Sequence, residues 1–215
     1  MDSACPFGCL ELGPGAGRGA AVLSSRHWNL ATEACEPMKV CIVSDSHDRG
    51  PMLARAIEAG IVEGAEAVIH CGDVIGGNTL RASLKLGVPI HAVHGNNLGD
   101  PVAISRIAHQ SNGLLHYYGL DATITLGGRR IFVTHYPHYA HAMACTGDYD
   151  LVCCGHSHET EIRQQPHVQD GSTWVVNPGT VAGLGAPEAT WALGDLDRMS
   201  FEIRPTPEEA AAGIE

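Results

Sequence analysis

The residues best suited to chemistry in this sequence are two histidines, one position apart, in the Gly-His-Ser-His segment at 155–158. They follow the apolar run 151–154, which predicts a buried strand that ends in a glycine turn. Such a turn can direct both imidazole rings into one pocket, and imidazole is a common metal ligand. Paired surface histidines are also frequent, so this segment indicates a metal site only if oxygen ligands from other strand ends reach the same place.

Oxygen ligands of this kind follow the strands predicted in the first half of the chain. Apolar runs at 39–44, 67–70 and 89–93 predict strands, and helical patterns at 51–63 and 80–86 alternate with them. This alternation predicts a parallel sheet with right-handed crossovers, in which ligands collect at the carboxyl ends of the strands. Four polar residues that can bind metal stand just after these runs: Asp45, His47, Asp73 and Asn96.

The second half of the chain predicts further strands, which we expect to be antiparallel. Residues 122–126 and 129–134 alternate around two glycines, a pattern typical of a hairpin, and His135 follows it. A short helix is expected at 137–145. Four more strands are predicted, at 161–165, 173–177, 190–196 and 199–204.

Composition narrows the range of partners. The formal net charge is -11, with 24 acidic residues against 13 Lys plus Arg, so the sequence predicts no nucleic-acid or anionic-membrane partner. This charge does not exclude a phosphorylated substrate, because bound divalent metals make a site locally positive. The chain also has 13 histidines, as many as its Lys plus Arg, which is rich in imidazole for a chain of this size.

Cysteine usage favours a reducing, cytoplasmic setting. Cys153 and Cys154 are adjacent and face opposite sides of a strand, so they are unsuited to pairing with each other. The eight cysteines have no spacing typical of a disulfide framework or a zinc ribbon. No apolar run approaches the ~20 residues of a membrane span.

The first 37 residues differ from the rest of the chain. They contain a Gly/Ala-rich run without strand or helix periodicity, and they lack the pattern of a secretory signal. We expect residues 1–37 to be a disordered leader, with Met38 as an alternative biological start. Residues 38–215 are predicted to form one domain, a length sufficient for a substantial core.

The ordered blocks Asp-x-His, Gly-Asp, Gly-Asn, His and Gly-His-x-His resemble the calcineurin-like metallophosphoesterase superfamily. The Asn-Pro-Gly-Thr segment at 177–180 is similar to the Asn-Pro-Gly-Ser block of its small bacterial and archaeal members, the YfcE-type phosphodiesterases. The resemblance covers residues 39–204. It implies an α/β fold, a four-layer α-β-β-α sandwich of two mixed sheets with the metal site at the carboxyl ends of the strands.

The resemblance also implies two divalent metal ions about 3.5 Å apart. One ion would be held by Asp45, His47, Asp73 and His158. The other would be held by Asp73, Asn96, His135 and His156, with Asp73 shared and with Asn96 and His135 as the catalytic residues. The metals expected are Mn, Fe, Ni, Zn or Co, with Mn favoured, and a hydroxide between them would attack phosphorus.

The chain departs from the superfamily pattern at two places. Many members have His and an acid after the Gly-Asn pair, and the His protonates the leaving group, but here Asn97 and Leu98 follow. We therefore consider Asp100, His138 and His141 as alternative proton donors. Tyr136 and Pro137 also stand where the superfamily often has Gly-His, which affects the expected pocket shape.

Other polar residues have two interpretations that the sequence leaves open. His70 and His91 lie within strands and are expected to be core or half-buried, whereas His94 could support the site or the fold. Asp48 could orient a ligand His or cap the next helix. Asn177 could reach the site or simply stabilise a turn.

The sequence thus predicts a dinuclear metal-dependent phosphodiesterase acting on small soluble phosphoesters. The alternative is a metal-binding or degenerate protein-interaction scaffold similar to the retromer subunit Vps29, which resembles this superfamily. All seven implied ligands are present, which favours the enzyme. The sequence leaves open whether the chain forms a homo-oligomer.

Overall fold

The computed structural model describes residues 38–208. The leader predicted at 1–37 lies outside this part of the chain. Eleven strands and four α-helices are seen within it, with a short 3₁₀ helix at Gly77–Thr79. The first half comprises β1 (Lys39–Val43), α1 (Gly50–Val62), β2 (Ala65–His70), α2 (Leu80–Leu84), β3 (Ile90–Ala92), α3 (Pro101–Gln110) and β4 (Leu115–Tyr117). The second half comprises β5 (Asp121–Leu126), β6 (Arg129–Thr134), α4 (Pro137–Ala144), β7 (Leu151–Cys153), β8 (Thr160–His167), β9 (Gly171–Pro178), β10 (Thr190–Asp195) and β11 (Ser200–Pro205).

The first sheet has the order β11-β10-β1-β2-β3-β4. Strands β1 to β4 are parallel, as the alternation of strands and helices predicted, and β10 and β11 are antiparallel additions. Residues 40–43 of the central strand β1 are buried on both faces, which explains their unbroken apolar sequence. Side chains from α1 and α2, such as Leu53 and Leu80, cover one face and pack against Val68 and Ile90.

The second sheet has the order β5-β6-β7-β9-β8. Its centre, β6, β7 and β9, is parallel, whereas β5 and β8 run antiparallel at the two edges. The glycine pair predicted to close a hairpin does join β5 to β6. Helix α4 covers the outer face, where Ala140 packs with Phe132 and Val152.

The two sheets pack face to face around a second core. Val40 and Ile69 from the first sheet meet Val133 and Val176 from the second, and all four are essentially inaccessible to water. Burying such a side chain stabilises the fold by roughly 1.5–3 kcal/mol. Helices, two mixed sheets and a further helix thus form the four-layer α-β-β-α sandwich, and the predicted fold class is confirmed.

Two elements between residues 97 and 121 were missed by the sequence interpretation, namely α3 and β4. Their signals were nevertheless present. The Asp100 carboxylate accepts a hydrogen bond from the Ala103 backbone N–H at 2.9 Å, so Asp100 is the N-cap of α3 and Pro101 occupies its first turn. The Asp100 side chain is thus engaged as a helix cap, which disfavours it as the proton donor to a leaving group.

Among residues 38–208 the helices are all too short or too polar to cross a membrane.

Candidate metal centre

The predicted ligands lie on loops at the carboxyl ends of five strands drawn from both sheets. This convergence follows from the packing of the sheets, whose parallel strands end at the same edge of the sandwich. The placement is Asp45 and His47 after β1, Asp73 after β2, Asn96 after β3, His135 after β6, and His156 and His158 after β7.

One group of possible ligand atoms is formed by Asp45, His47 and His158. The Nε2 atom of His158 lies 3.2 Å from Asp45 Oδ1 and 3.3 Å from His47 Nε2. His47 Nε2 also lies 3.6 Å from Asp45 Oδ1 and 3.7 Å from Asp73 Oδ2. These separations leave the atoms around one common point, as ligands of a single cation are.

The tautomer of His158 is set by a loop that is distant in sequence. Its Nδ1 atom lies 2.5 Å from the backbone carbonyl oxygen of Leu184, which can only accept a hydrogen bond. The proton of a neutral His158 ring therefore resides on Nδ1. Its Nε2 atom consequently presents a lone pair to the Asp45 carboxylate, and two electron-rich atoms face each other.

A second group is formed by Asp45, Asp73 and His135. His135 Nε2 lies 3.5 Å from Asp73 Oδ1 and 3.0 Å from Asn96 Oδ1. The other ring nitrogen of His135, Nδ1, donates to the Cys71 carbonyl oxygen at 2.8 Å. A neutral His135 therefore also directs a lone pair at oxygen atoms, and the amide oxygen of Asn96 adds a neutral ligand.

These atoms fit divalent cations. Within the described residues, the fully buried Oδ1 atom of Asp45 has no hydrogen-bond partner. A buried carboxylate oxygen without a donor is costly, and converging lone pairs raise that cost. A metal ion bound to these atoms would remove both penalties. The hydrogen bonds on the far nitrogens of His135 and His158 are of the kind that orient metal-binding histidines.

His156 is placed differently from the other predicted ligands. Its side chain is exposed and belongs to neither group. Its ring centroid lies 5.0 Å from that of His135 and 5.6 Å from that of Tyr136, while its backbone N–H donates to Asp45 Oδ2 at 3.0 Å. The structure therefore brings His156 beside the second group without directing its ring into it.

The loops that carry the ligands have unusual backbone conformations. Non-glycine residues with positive φ are uncommon, and Asp and His are among those that tolerate it better. Each such residue costs of order 1–3 kcal/mol, which the surrounding contacts must offset. Five of the predicted ligands have positive φ: Asp45 (53°), His47 (41°), Asp73 (55°), His156 (71°) and His158 (61°).

The glycines of the blocks are required by close packing around the ligands. A Cβ atom on Gly95 would overlap Asp73 Oδ1 and lie 2.7 Å from the His135 ring. A Cβ on Gly155 would lie 2.7 Å from Asp45 Oδ2. Both distances are far shorter than a van der Waals contact, so the glycines allow the ligand side chains to approach one another.

Comparison with known proteins agrees with this arrangement. A family model described as the calcineurin-like phosphoesterase superfamily domain matches residues 38–199. The chain belongs to this superfamily. It is therefore a metal-dependent phosphoesterase, as the ordered blocks predicted.

Three relatives of this phosphoesterase align with it over nearly their full length. Phosphodiesterase MJ0936 of Methanocaldococcus jannaschii is 30% identical over 174 residues, a match covering 78% of this chain and 97% of the relative. A solved structure of a novel archaeal phosphodiesterase has a TM-score of 0.70 at 28% identity, covering 78% of this chain and 99% of that one. The Escherichia coli phosphoesterase YfcE has a TM-score of 0.53 at 21% identity, covering 79% and 100%, which shows the shared fold.

Asn97 contacts the second group of possible ligand atoms, a contact that the sequence interpretation did not identify. Its backbone N–H donates to Asp73 Oδ1 at 2.9 Å and its side-chain amide donates to Asp73 Oδ2 at 2.5 Å. Burial tends to raise the pKa of Asp73, but these two hydrogen bonds and the nearby His135 and His47 outweigh burial and lower it. Asn97 thus keeps the central carboxylate ionised.

The two remaining candidates for proton transfer to a leaving group lie on helix α4. His141 Nε2 lies 3.1 Å from Glu161 Oε2, so its ring is engaged in an ion pair if protonated. The His138 ring centroid lies 5.8 Å from that of Tyr136, which itself packs against His156. His138 is thus linked to the site by a chain of ring contacts, whereas His141 is held by Glu161.

Two of the polar residues with open interpretations, Asp48 and Asn177, make hydrogen bonds that join neighbouring loops. Asp48 Oδ1 accepts hydrogen bonds from the Gly76 backbone N–H and the Thr79 hydroxyl, both at 2.7 Å, and so joins two loops. The Asn177 side-chain amide donates to the Gly155 carbonyl oxygen at 3.0 Å, which stabilises the turn before His156. The contacts of Asp48 thus correspond to neither of its two expected roles, whereas those of Asn177 agree with stabilisation of a turn.

His94 supports the fold near the site. Its Nδ1 atom lies 3.0 Å from the Tyr117 hydroxyl, on the neighbouring strand β4. Burial lowers the pKa of His94, and the charge of a protonated His135 would lower it further. The ring is therefore suited to remain neutral beside the two groups of possible ligand atoms.

Proposed function

We propose that this chain is a phosphodiesterase that hydrolyses small soluble phosphodiesters at two divalent metal ions. Superfamily membership supports hydrolysis of a phosphoester. The preference for a diester is supported by the relative named a phosphodiesterase, at 30% identity.

The observation that carries the proposal is a buried carboxylate oxygen, Asp45 Oδ1, which has no hydrogen-bond donor among the described residues and faces the lone pair of His158 Nε2. Backbone carbonyls of Leu184 and Cys71 accept from the outer nitrogens of His158 and His135, so the inner nitrogens face oxygen atoms. The two groups are contiguous, since His47 Nε2 of the first lies 3.7 Å from Asp73 Oδ2 of the second, as expected for neighbouring cations with Asp73 between them. An ordinary polar core would pair each acceptor with a donor.

We assign the ligands as the resemblance implied. One ion would be bound by Asp45, His47, Asp73 and His158, and the other by Asp73, Asn96, His135 and His156. When bound, the two metals would stabilise charge on the phosphoryl oxygens and make water nucleophilic by lowering its pKa toward about 7.

The protein residues have distinct roles in this proposal. The Asp73 carboxylate, kept ionised by Asn97, supplies negative charge between the two ligand groups. Asn96 and His135 are proposed as the catalytic residues. Asn96 is exposed and can meet a substrate, and the fully buried His135 contacts Asn96 Oδ1 from behind at 3.0 Å. Rotation of His156 about its side chain would complete the second ligand set.

The donor set consists of carboxylate, amide and imidazole atoms without a thiolate. Such ligands suit Mn, Fe, Ni, Zn or Co, and we propose Mn as the favoured metal. The net charge of -11 disfavours anionic polymers and surfaces, so we propose neither a nucleic-acid nor a membrane partner. The free thiols of the described cysteines support a cytoplasmic location.

Metal content and turnover test the proposal. The purified full chain should contain up to two equivalents of transition metal by elemental analysis. Added Mn²⁺ or Ni²⁺ should stimulate cleavage of bis-p-nitrophenyl phosphate more than cleavage of p-nitrophenyl phosphate. A higher rate with the monoester would overturn the diester preference, and cleavage of neither ester would overturn the enzymatic proposal.

The second candidate is a protein-interaction scaffold similar to Vps29. It is favoured by the exposed position of His156 and by Asn97 and Leu98 in place of a His-acid pair. A folded protein that binds metal but cleaves neither nitrophenyl ester would support this candidate.

A further inference from the structure

His70 is a buried histidine that lies outside both ligand groups. It ends strand β2, three positions before Asp73, and is completely inaccessible to water. Its Nδ1 atom lies 3.2 Å from the Gly72 backbone nitrogen, and its Nε2 atom lies 3.0 Å from Ser46 Oγ. One ring thus contacts the two loops that carry Asp45, His47 and Asp73.

The donors and acceptors of these hydrogen bonds follow from the fact that a backbone N–H can only donate. The Gly72 N–H can only donate, so Nδ1 of His70 must carry a lone pair. The ring proton therefore resides on Nε2 and is donated to Ser46 Oγ. The Ser46 hydroxyl then has its own proton free for the Asp73 carbonyl oxygen, at a long 3.5 Å. The three hydrogen bonds therefore run in one donor-to-acceptor direction, from Gly72 to His70, from His70 to Ser46, and from Ser46 to Asp73.

The environment of His70 favours the neutral ring that this chain needs. Burial lowers the pKa of His70 to about 3, and a protonated His135 would lower it further. A protonated ring would also place a hydrogen on Nδ1, against the Gly72 N–H. The imidazole is thus a fixed donor and acceptor at neutral pH.

Ser46 connects these hydrogen bonds to the predicted metal ligands. Ser46 lies between two predicted ligands, and the backbone N–H groups of Asp45 and His47 donate to the carbonyl oxygens of Gly72 and Asp73, both at 3.0 Å. The two loops have positive φ at their ligand residues and require contacts that offset this strain. An apolar residue of similar volume at position 70 would fill the core but leave the Gly72 N–H and the Ser46 hydroxyl without this partner.

We propose that His70 and Ser46 are positioning residues that hold the β1 and β2 loops in the register needed for metal binding. The proposal rests on the metal-dependent function proposed above. It assigns His70 no contact with metal or substrate. The pair acts only through the backbone that carries Asp45, His47 and Asp73.

Three site variants and one matched control test the pair. Ser46→Ala removes the shared hydroxyl, His70→Phe removes both ring hydrogen bonds, and His70→Gln retains a side-chain donor that can reach Ser46. The control is Ser83→Ala on helix α2, because Ser83 is also fully buried and its hydroxyl has no partner among the described residues. Chemical unfolding of each metal-free protein verifies that the variants fold.

The first readout is Mn²⁺ affinity by titration calorimetry on metal-free protein. Loss of a group that orients metal ligands typically lowers affinity by about 10- to 100-fold. We expect a decrease of this size for Ser46→Ala and His70→Phe, a smaller one for His70→Gln, and none for Ser83→Ala. The second readout is electron paramagnetic resonance of the Mn²⁺ protein, in which Ser46→Ala should weaken the signal of a spin-coupled pair.

The outcomes separate this proposal from the proposed function. If the wild type binds two metals and cleaves diesters but Ser46→Ala binds Mn²⁺ with unchanged affinity, the positioning pair is refuted and the function stands. An equal loss in Ser83→Ala would likewise refute it, as a general effect on the core. A wild type that binds no metal would overturn both. Should His70→Phe fail to fold, Ser46→Ala decides alone.

Discussion

Replacing Asp45 with Asn should stabilise the metal-free protein while abolishing its response to metal. The Asp45 carboxylate is fully buried and its Oδ1 atom lies 3.2 Å from the lone pair of His158 Nε2. An asparagine of the same shape can present its amide N–H to that nitrogen. Its oxygen can still accept the hydrogen bond from the His156 backbone N–H. The substitution therefore exchanges a repulsive contact for a hydrogen bond.

The size of both effects can be estimated. Leaving a buried polar atom without a partner costs about 1–3 kcal/mol. For a domain of this size each kcal/mol changes Tm by about 2–4 °C, so the metal-free variant should melt about 2–12 °C higher. Metal at 100 times its Kd stabilises a binding protein by about 2.7 kcal/mol. The wild type should gain that stability from Mn²⁺, and Asp45→Asn should gain little of it.

The assay is thermal unfolding at about pH 8, where an unperturbed histidine is mostly neutral. Each protein is measured with chelator and again with Mn²⁺, and bis-p-nitrophenyl phosphate turnover is followed in parallel. Asp170→Asn is the matched control, because Asp170 also has a positive φ of 57° but is exposed. This control should leave both Tm values and turnover unchanged.

Two results would refute the reasoning. A metal-free Asp45→Asn protein that melts below the wild type would show that the carboxylate is satisfied without a cation. An Mn²⁺-dependent increase in Tm as large as that of the wild type would show that Asp45 is no ligand.

Three further predictions concern other parts of the site. Asp73→Asn should bind one Mn²⁺ instead of two and lose several orders of magnitude of turnover, since Asp73 is proposed to be shared; retention of two ions by calorimetry would contradict this. Gly95→Ala should lose about 1–3 kcal/mol of stability and most of its metal affinity, because its Cβ would lie 2.7 Å from the His135 ring. Gly87→Ala, whose Cβ meets no atom within 4 Å, should retain metal affinity, although its positive φ of 80° also costs stability. Burial lowers the pKa of His70 from 6.5 in the unfolded chain to about 3 in the folded protein. Between these two pH values the unfolded form binds a proton that the native ring does not bind. The stability present above pH 6.5 is therefore lost as the pH falls toward 3. In acid titrations of metal-free protein, His70→Gln should therefore have a slope shallower by up to about 1.4 kcal/mol per pH unit, and an equal slope would argue against a neutral buried ring.

Much of this fold could be predicted because local sequence determines local structure. The apolar runs predicted β1, β2 and β3, and the alternation of strands with helices predicted their parallel order. Helix α3 was missed although Asp100 and Pro101 form a recognisable N-terminus. The position of Asp100 near the Gly-Asn block favoured a role in proton transfer over a role as a helix cap.

The sequence by itself determined which residue types stand at the strand ends, and their order identified the superfamily. Only the tertiary structure decided how these residues are held. Leu184 orients His158 from 26 positions away, and Ser46 meets His70 from 24 positions away, through contacts that no local pattern encodes. The physical reason is that a side chain's tautomer and hydrogen-bond partners depend on the packing of two sheets. Strand and turn signals, in contrast, depend on a few consecutive residues.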